Sequence, residues 1–471
     1  MVIPARLKLY FMSLLVLTIC SLNINVAYLT LPLMVKDYYH SDNHVNTNGI
    51  CNVPKNKSTV LKNYEGTLEW SADIQYFFLT SPYISYIISQ IFVGNVTHKF
   101  GTKCIVSYSI VTISLCNIIV SFASKIHYSF ALVVQVIHGF GQGMITPALY
   151  RVIPQWIPIK ERSKFMSCFQ GSSIGSLVSQ ILSALLITYA RWEYVYIISG
   201  LLGLTLNIAW RVTAYDKPEL HPRITLDELT YIQENRNKTD DCNHRIPWIS
   251  ILSSLPLWAI VVSAFGRIWF SAVVSIYGSL YLKTINGLNA KMIAIFSGAI
   301  YLGNFLFALI FSCISDELLT REVISLLANR KLITAIGQVP SALLMAGVGY
   351  LGCSVPLVLT IWGLIQMLLS VCFVGAMVNI VDIAPAFSAP AMGFVQMVGM
   401  LPEVISMLVA KSYLQEGVSL GAWKEIFITT SIIGLGSYLF YFIFSSSDVS
   451  NVFYNSIIIV IPFIDTNMEL R

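Results

Sequence analysis

Charge is what this chain has least of. Only 11% of its 471 residues are Asp, Glu, Lys or Arg, while 56% are hydrophobic. A soluble domain carries about 25% charged residues. One large core cannot absorb that deficit, so the composition excludes a soluble globular protein and implies a polytopic membrane protein. Metal-ligand spacings are also missing. The nine cysteines form no C-x-x-C or C-x-x-H grouping, so no metal site is expected. Most of them lie in apolar runs, where cysteine acts as a small packing residue. Cys51 stands alone in the first long loop, which leaves that loop without a disulfide of its own. There is no Walker A motif, which excludes an ATP-driven pump. There is no nucleophile–base pair and no phosphate-binding loop, so an enzyme is not expected. The net charge is only +5, and the basic residues sit in loops rather than on one face, which argues against a nucleic-acid partner.

What the chain has in abundance is apolar sequence. A span needs about 20 apolar residues, and twelve such stretches are counted: 8–34, 72–96, 104–124, 127–150, 165–190, 193–213, 249–282, 292–314, 332–352, 355–380, 388–411 and 423–445. The N-terminus is basic and then apolar, as in a signal peptide. It lacks a small-residue cleavage site and its apolar run is long enough to span, so it is read as the first helix. The expected organisation is a six-helix half over 1–213, a linker over 214–248, a second half over 249–445 and a tail over 446–471. Within the linker, Thr225-Leu-Asp-Glu228 predicts a capped surface helix. Lysines and arginines such as Lys99, Lys160, Arg162 and Arg330 favour the loops on the side of both termini, which places that side in the cytoplasm. The first long loop then faces away from it and carries a glycosylation sequon at Asn56. Aromatics at 12% fit lipid contact and interface belts.

One segment carries more information than any other: Gln135 to Lys164, QVIHGFGQGMITPALYRVIPQWIPIKERSK. Gly139, Gly141 and Gly143 let neighbouring helices approach, and Arg151, Lys160, Glu161, Arg162 and Lys164 crowd the exit. Gly139-x-x-x-Gly143-x-x-x-Pro147-Ala148, followed by Trp156-x-Pro158-x-x-Glu161-Arg162-Ser163, resembles the anion/cation symporter family of the major facilitator superfamily. Other pieces agree in order: Asn23-x-x-Val26-Ala27, Tyr86-Ile-x-x-Gln90, Lys99-Phe-Gly, Pro218-x-x-His221-Pro222, Pro247-Trp248 and Asp382-Ile-Ala-Pro385. Gly94 to Lys103 loosely matches the superfamily's loop between spans two and three, with His98 where an acid is usual. The resemblance implies an all-α carrier of twelve helices in two six-helix halves. It would move organic anions or phosphate by alternating access, coupled to H⁺, Na⁺ or membrane potential.

The departures from the family concern chemistry. Relatives carry an arginine and a glutamate seven residues apart in span four, where this chain has Gln135 and Gln142. Many carry an arginine in span one, where Ser21 stands. Spacing of seven puts the pair on one helix face. Either glutamine can hydrogen-bond a substrate or act as inter-helix glue. The span-seven arginine of the family is matched by Arg267, and Tyr281 also matches. A cation in mid-span costs about 2.5–3.5 kcal/mol on insertion scales, so it persists where something binds it. A guanidinium suits carboxylate or phosphate; the plainer alternative is a structural pairing with an intramembrane acid. Glu403 follows Pro402 where the family has a small residue. Held away from water, it can carry a proton and serve as a relocated coupling acid, or it can simply face water near a helix end. His138, one turn after Gln135, can titrate near neutral pH or can be a packed core histidine. Asn23 is expected to line the cavity. Asp382 is expected to stabilise its loop, and Tyr83 and Tyr86 to pack.

These readings together give a monomeric secondary transporter of a small anionic substrate, with Arg267, Gln135, Tyr281 and Asn23 on the substrate and Glu403, Gln142 and His138 on coupling. No resident cofactor is expected beyond a coupling H⁺ or Na⁺. The membrane would be the plasma membrane or a lysosomal or vesicular one. Two other classes stay open: a non-transporting receptor that keeps the carrier fold, and a facilitator of neutral or zwitterionic solutes. Loss of charge at Ser21, Gln135 and Gln142 fits either.

Overall fold

The computed structural model describes residues 4–35, 66–189, 191–236, 246–274, 278, 281–282, 290–351, 354–414 and 419–448. The Asn56 sequon and most of the C-terminal tail lie outside them. Among the described residues the chain is almost wholly helical. The first half holds α1 (Ala5–Met34), α2 (Ala72–Phe100), α3 (Thr102–Ile126), α4 (Tyr128–Trp156), α5 (Gly171–Tyr189) and α6 (Trp192–Thr213). A linker helix, α7 (Leu226–Asn235), follows. The second half holds α8 (Leu255–Ala272), α9 (Ala290–Thr320), α10 (Leu326–Val348), α11 (Val355–Val371), α12 (Ser388–Gly399), α13 (Leu401–Leu414) and α14 (Leu420–Phe444). Eleven helical stretches among the described residues are long and apolar enough to cross a membrane, and α5 occupies the place of the expected fifth span. The protein is a multi-pass membrane protein.

Within the first half, α4 packs against α2 and α3, α1 against α5, and α3 against α6. The α2–α4 seam depends on Gly139. A Cβ built there would sit 2.0 Å from the Pro82 carbonyl oxygen, so only glycine permits the approach. In the second half α14 packs on α8 and α10, and α11 on α9 and α10. The halves meet along α2–α12, α4–α12 and α5–α9.

Two irregularities of the second half lie close to Arg267 and Glu403. After α11 the chain passes through a π-helical segment, Phe373–Met377, before resuming as helix to Ile383. Such segments insert an extra residue per turn and often mark functional sites. The eleventh span is broken at Met400, between α12 and α13. Pro402 has no N–H to continue the ladder across the break.

The linker helix is capped by Thr225, whose side chain accepts from the Glu228 amide at 3.4 Å. The Glu228 carboxylate does not close the expected box by reaching back. It accepts instead from the Ala5 and Arg6 amides at 2.9 and 3.1 Å. These are orphan donors at the start of α1, so the linker helix is pinned to the first half.

At the turn between α2 and α3, His98 leaves the usual acid position empty of charge. Asp216 supplies a carboxylate from after α6, accepting from the Lys103 amide at 2.8 Å. Gly101 makes this possible. Its φ is +79°, and a Cβ there would lie 2.5 Å from an Asp216 oxygen.

Candidate functional site

The two halves are tied together at the end of the bundle that carries the linker. Arg162, in the charged exit from α4, donates to Asp382 Oδ1 at 2.7 Å. Arg330 on α10 donates to Asp382 Oδ2 at 2.8 Å and to Ser163 Oγ at 2.8 Å. All three charged side chains are essentially inaccessible to solvent. Beside them the Asp316 carboxylate accepts from the Ser163 and Lys164 amides at 3.2 and 2.8 Å. The short helical turn Arg162–Met166 is thus held by acids from α9 and from the end of the tenth span. Asp382 does more than stabilise its own loop: it joins the halves.

Above this network lies an aromatic floor. Tyr150 and Phe169 of the first half sit with ring centroids 5.0 Å apart. Phe169 stacks on Phe373 of the second half at 6.2 Å and 16°. Gln170 donates to the Ser370 carbonyl at 3.3 Å. Among the described residues, every hydrogen bond between the halves lies in this floor or below it. These bonds hold the two halves together at the linker end.

Arg267 rests on the floor. Its guanidinium carbon lies 4.6 Å from the Phe373 ring centroid, a cation–π geometry. Phe373 is the first residue of the π-helical segment. Among the described residues Arg267 has no ion-pair partner, and its Nε is buried without an acceptor. The hydroxyl of Tyr150 is likewise buried and unpaired, within the electrostatic reach of Arg267.

Glu403 stands in the first turn of α13. It interacts electrostatically with Arg267 without forming an ion pair. Its other electrostatic neighbours are the hydroxyls of Tyr28, Tyr83 and Tyr86, and Tyr28 donates to Tyr83 at 2.6 Å. Packing explains this meeting. A Cβ on Gly393 would lie 2.9 Å from the Gln90 carbonyl oxygen, so α12 and α2 touch there. Ten residues later along the eleventh span comes Glu403, roughly 15 Å further at 1.5 Å per residue. Seven residues earlier along antiparallel α2 comes Tyr83, roughly 10 Å in the same direction.

A second polar group lies inside the first half. Asn23, Gln135 and His138 line one small cavity with Tyr28 and Pro82. Asn117 donates to Asn23 Oδ1 at 2.7 Å. Both ring nitrogens of His138 and the Gln142 Oε1 are buried without a partner. Tyr28 borders this cavity and also bonds Tyr83 beside Glu403, so it connects the two groups.

The structure therefore brings Arg267 and Glu403 together, and brings Asn23, Gln135 and His138 together. Tyr281 belongs to neither group. It stacks on Trp362 at 5.9 Å and packs edge-on to Trp423 and Phe427, in a separate apolar cluster. Sequence reasoning missed Tyr28, Tyr150 and Phe373, and took Tyr83 and Tyr86 as packing residues. No motif marks these aromatics; the one available signal was a tyrosine in each of three spans near polar residues.

Residues 13–336 match the family model described as Major Facilitator Superfamily. Human sialin is 27% identical over 384 residues, covering 81% of this chain and 77% of its own. Sialin of Ovis aries is 28% identical, covering 95% of this chain and 90% of its own. The mouse sodium-dependent phosphate transport protein 1 is 26% identical, covering 81% and 82%. Among solved structures, the proton:xylose symporter XylE bound to 6-bromo-6-deoxy-D-glucose superposes with a TM-score of 0.70 at 14% identity, covering 94% of this chain and 96% of that one. At that identity the likeness concerns the fold.

Proposed function

The chain belongs to the major facilitator superfamily, with relatives of the anion/cation symporter family, and from that premise we propose a secondary transporter that carries an organic anion or phosphate by alternating access. The observation that supports this most is Arg267: a guanidinium inside the bundle, seated on Phe373, with no acid in contact among the described residues and its Nε unpaired. A structural cation would have an ion-pair partner, because leaving it alone in a low-dielectric site is costly. An oxyanion bound by two charge-assisted hydrogen bonds supplies that partner. The names of the relatives, sialin and phosphate transport protein, agree with an anionic cargo.

The lysine and arginine asymmetry assigns the linker end to the cytoplasm. In this reading the cavity is closed to the cytoplasm by the Arg162–Asp382–Arg330 network and the floor. Cargo then reaches Arg267 from the opposite side. Coupling falls to groups that can exchange a proton or meet an ion: Glu403 beside Arg267, and His138 in the side cavity with Gln142 near it. Gln135 and Asn23 contribute neutral hydrogen bonds. The plasma membrane and the lysosomal or vesicular membrane are both compatible with the relatives.

The test is uptake in reconstituted vesicles, with phosphate, sialic acid, glutamate and urate offered while pH, Na⁺ and voltage are imposed separately. At least one anion should accumulate, and Arg267→Ala should abolish that uptake while the protein remains folded in the membrane. Uptake of none of them, with alkylation of Cys168 and Cys372 unchanged by every solute, would favour the receptor reading.

A further inference from the structure

Arg211 is a cation on the outer face of the bundle, and a hydrogen bond holds its head there. It stands two residues before the linker end of α6. Its Nε donates to Ser107 Oγ of α3 at 2.8 Å, and the Ser107 hydroxyl donates to Asn207 Oδ1 at 2.7 Å. Ser107 and Asn207 are buried, while Arg211 is exposed. The guanidinium carbon lies 5.7 Å from the centroid of the Tyr108 ring. Lys103 stands one turn before Ser107 on α3. Trp210, next to Arg211, donates from Nε1 to the Lys103 carbonyl at 3.2 Å. The Lys103 ammonium lies 4.1 Å from the centroid of the Tyr215 ring. Asp216, the acid of this corner, accepts from the Lys103 amide at 2.8 Å. Among the described residues neither cation has an ion-pair partner, and the two terminal nitrogens of Arg211 make no hydrogen bond.

The face around this guanidinium is apolar and uncovered. Tyr108, Ile208 and Val212 are 61%, 66% and 68% exposed. They lie on two helices long and apolar enough to cross a membrane, so lipid is what they meet. An arginine near a span end ordinarily extends its head to water and buries only its stem. The bond to Ser107 draws this head the other way, along α3 and away from the turn at Gly101. A charge turned to lipid is costly unless an opposite charge meets it. Near the end of a span that charge is the lipid phosphate. With Nε committed to Ser107, the terminal nitrogens present the edge of the fork that holds a phosphate through two hydrogen bonds. Tyr108, Trp210 and Tyr215 are the residue types that belt membrane–water interfaces.

We propose that Arg211 and Lys103 form a site for the phosphate of an anionic glycerophospholipid in the linker-side leaflet, with the acyl chains along the exposed faces of α3 and α6. Basic positions between helices at a span end recognise acidic headgroups in this way. Two cations with no acid paired to them select a headgroup of net negative charge. In phosphatidylglycerol the phosphate is the one charge; in phosphatidylcholine the choline brings a third cation to the corner. The membrane supplies this ligand, so the site is separate from Arg267 and independent of what the carrier moves.

The experiment places the full chain in nanodiscs made from equal parts of phosphatidylcholine and phosphatidylglycerol. Native mass spectrometry then counts the lipids that stay bound on release. The unmodified protein should retain phosphatidylglycerol in preference. Arg211→Gln and Lys103→Gln should each lower that preference about fivefold, the weight of one cation beside an acidic headgroup. Arg211→Lys keeps the charge and loses the fork, and should fall between. Arg321→Gln removes an exposed cation paired with Glu317 on α9 and should leave the preference unchanged. Melting temperatures in phosphatidylcholine alone show which variants are folded. Should Arg211→Gln fail to fold, Arg211→Lys and Ser107→Ala carry the comparison, both with reduced preference. Excess inorganic phosphate should not displace the lipid. Equal retention of the two lipids by the unmodified protein, or a preference that survives Arg211→Gln, would overturn the site. So would equal losses in Arg211→Gln and Arg321→Gln, the mark of diffuse attraction. Displacement by inorganic phosphate would overturn it too, since the site would then be one for a free anion.

Discussion

Arg162 and Asp382 lie on opposite halves of the molecule and meet at 2.7 Å with both side chains 1% exposed. Such a contact ties the halves at the linker end only while it is made, and the same carboxylate also holds Arg330. Removing one member of a buried pair leaves uncompensated charge and costs about 3–5 kcal/mol. Asp382→Asn leaves two arginines in that position. It should shift the protein toward a state open on the linker side. Cys168 and Cys372 are native reporters, since both are buried beside the floor. Alkylation of these two thiols, followed by peptide mass spectrometry, should run at least fivefold faster in Asp382→Asn. Unchanged labelling would mean that the network is not the closure.

The α2–α4 seam gives a prediction about folding rather than transport. At Gly139 the obstruction to a side chain is backbone, the Pro82 carbonyl, which cannot rotate away. Gly139→Ala should therefore force the helices apart, with an overpacking cost of about 1–3 kcal/mol. The expected result is a lower melting temperature in detergent and reduced yield. Gly143→Ala should be milder, because its nearest obstruction is the Ser89 hydroxyl at 2.0 Å, and a serine can change rotamer. Equal losses at the two positions would contradict this account.

The contrast between framework and chemistry shows what the sequence carries. Gly139, Gly143 and the charged exit at Arg162 are local signals, readable because a close helix approach requires glycine and a loop tolerates charge. The span positions follow from apolar length alone. Arg267 was legible for the same reason, as a charge in an apolar run. The Phe373 floor was not, because nothing in a stretch such as Cys372-Phe-Val-Gly-Ala announces a π-helical segment. The role of Asp382 was half legible: its motif was visible, but its partners lie 220 and 52 residues away. Likewise His98 is visible as a missing acid, but nothing local shows that Asp216, 113 residues from Lys103, fills the place.

Asp216 can be tested on its own. Asp216→Asn keeps the size of the side chain and weakens the charge-assisted bond to the Lys103 amide. Such a bond contributes about 1.5–3 kcal/mol. The variant should melt several degrees lower and bind cargo normally, since Asp216 lies away from Arg267. Introducing His98→Asp into it should recover part of the loss, if the usual acid position can still serve the same turn. No recovery would show that the turn has been rebuilt around Gly101 and Asp216.

The hydroxyl bond between Tyr28 and Tyr83, 2.6 Å long, spans α1 and α2 at the point where the side cavity meets the space around Glu403. It is an exposed contact, so it adds little to stability. Its value lies in fixing where two rings and two hydroxyls stand. Tyr28→Phe removes the donor and keeps the ring. The melting temperature should stay within about a degree, as expected of an exposed polar change. The apparent KM for cargo should rise about five- to tenfold, the equivalent of roughly 1 kcal/mol for one hydrogen bond, with kcat little changed. Tyr83→Phe should behave the same way. Because both variants break one bond, the double variant should cost no more than either alone, the mark of residues acting as a unit. Additive losses would mean that the two hydroxyls act on cargo separately and that their bond to each other is incidental.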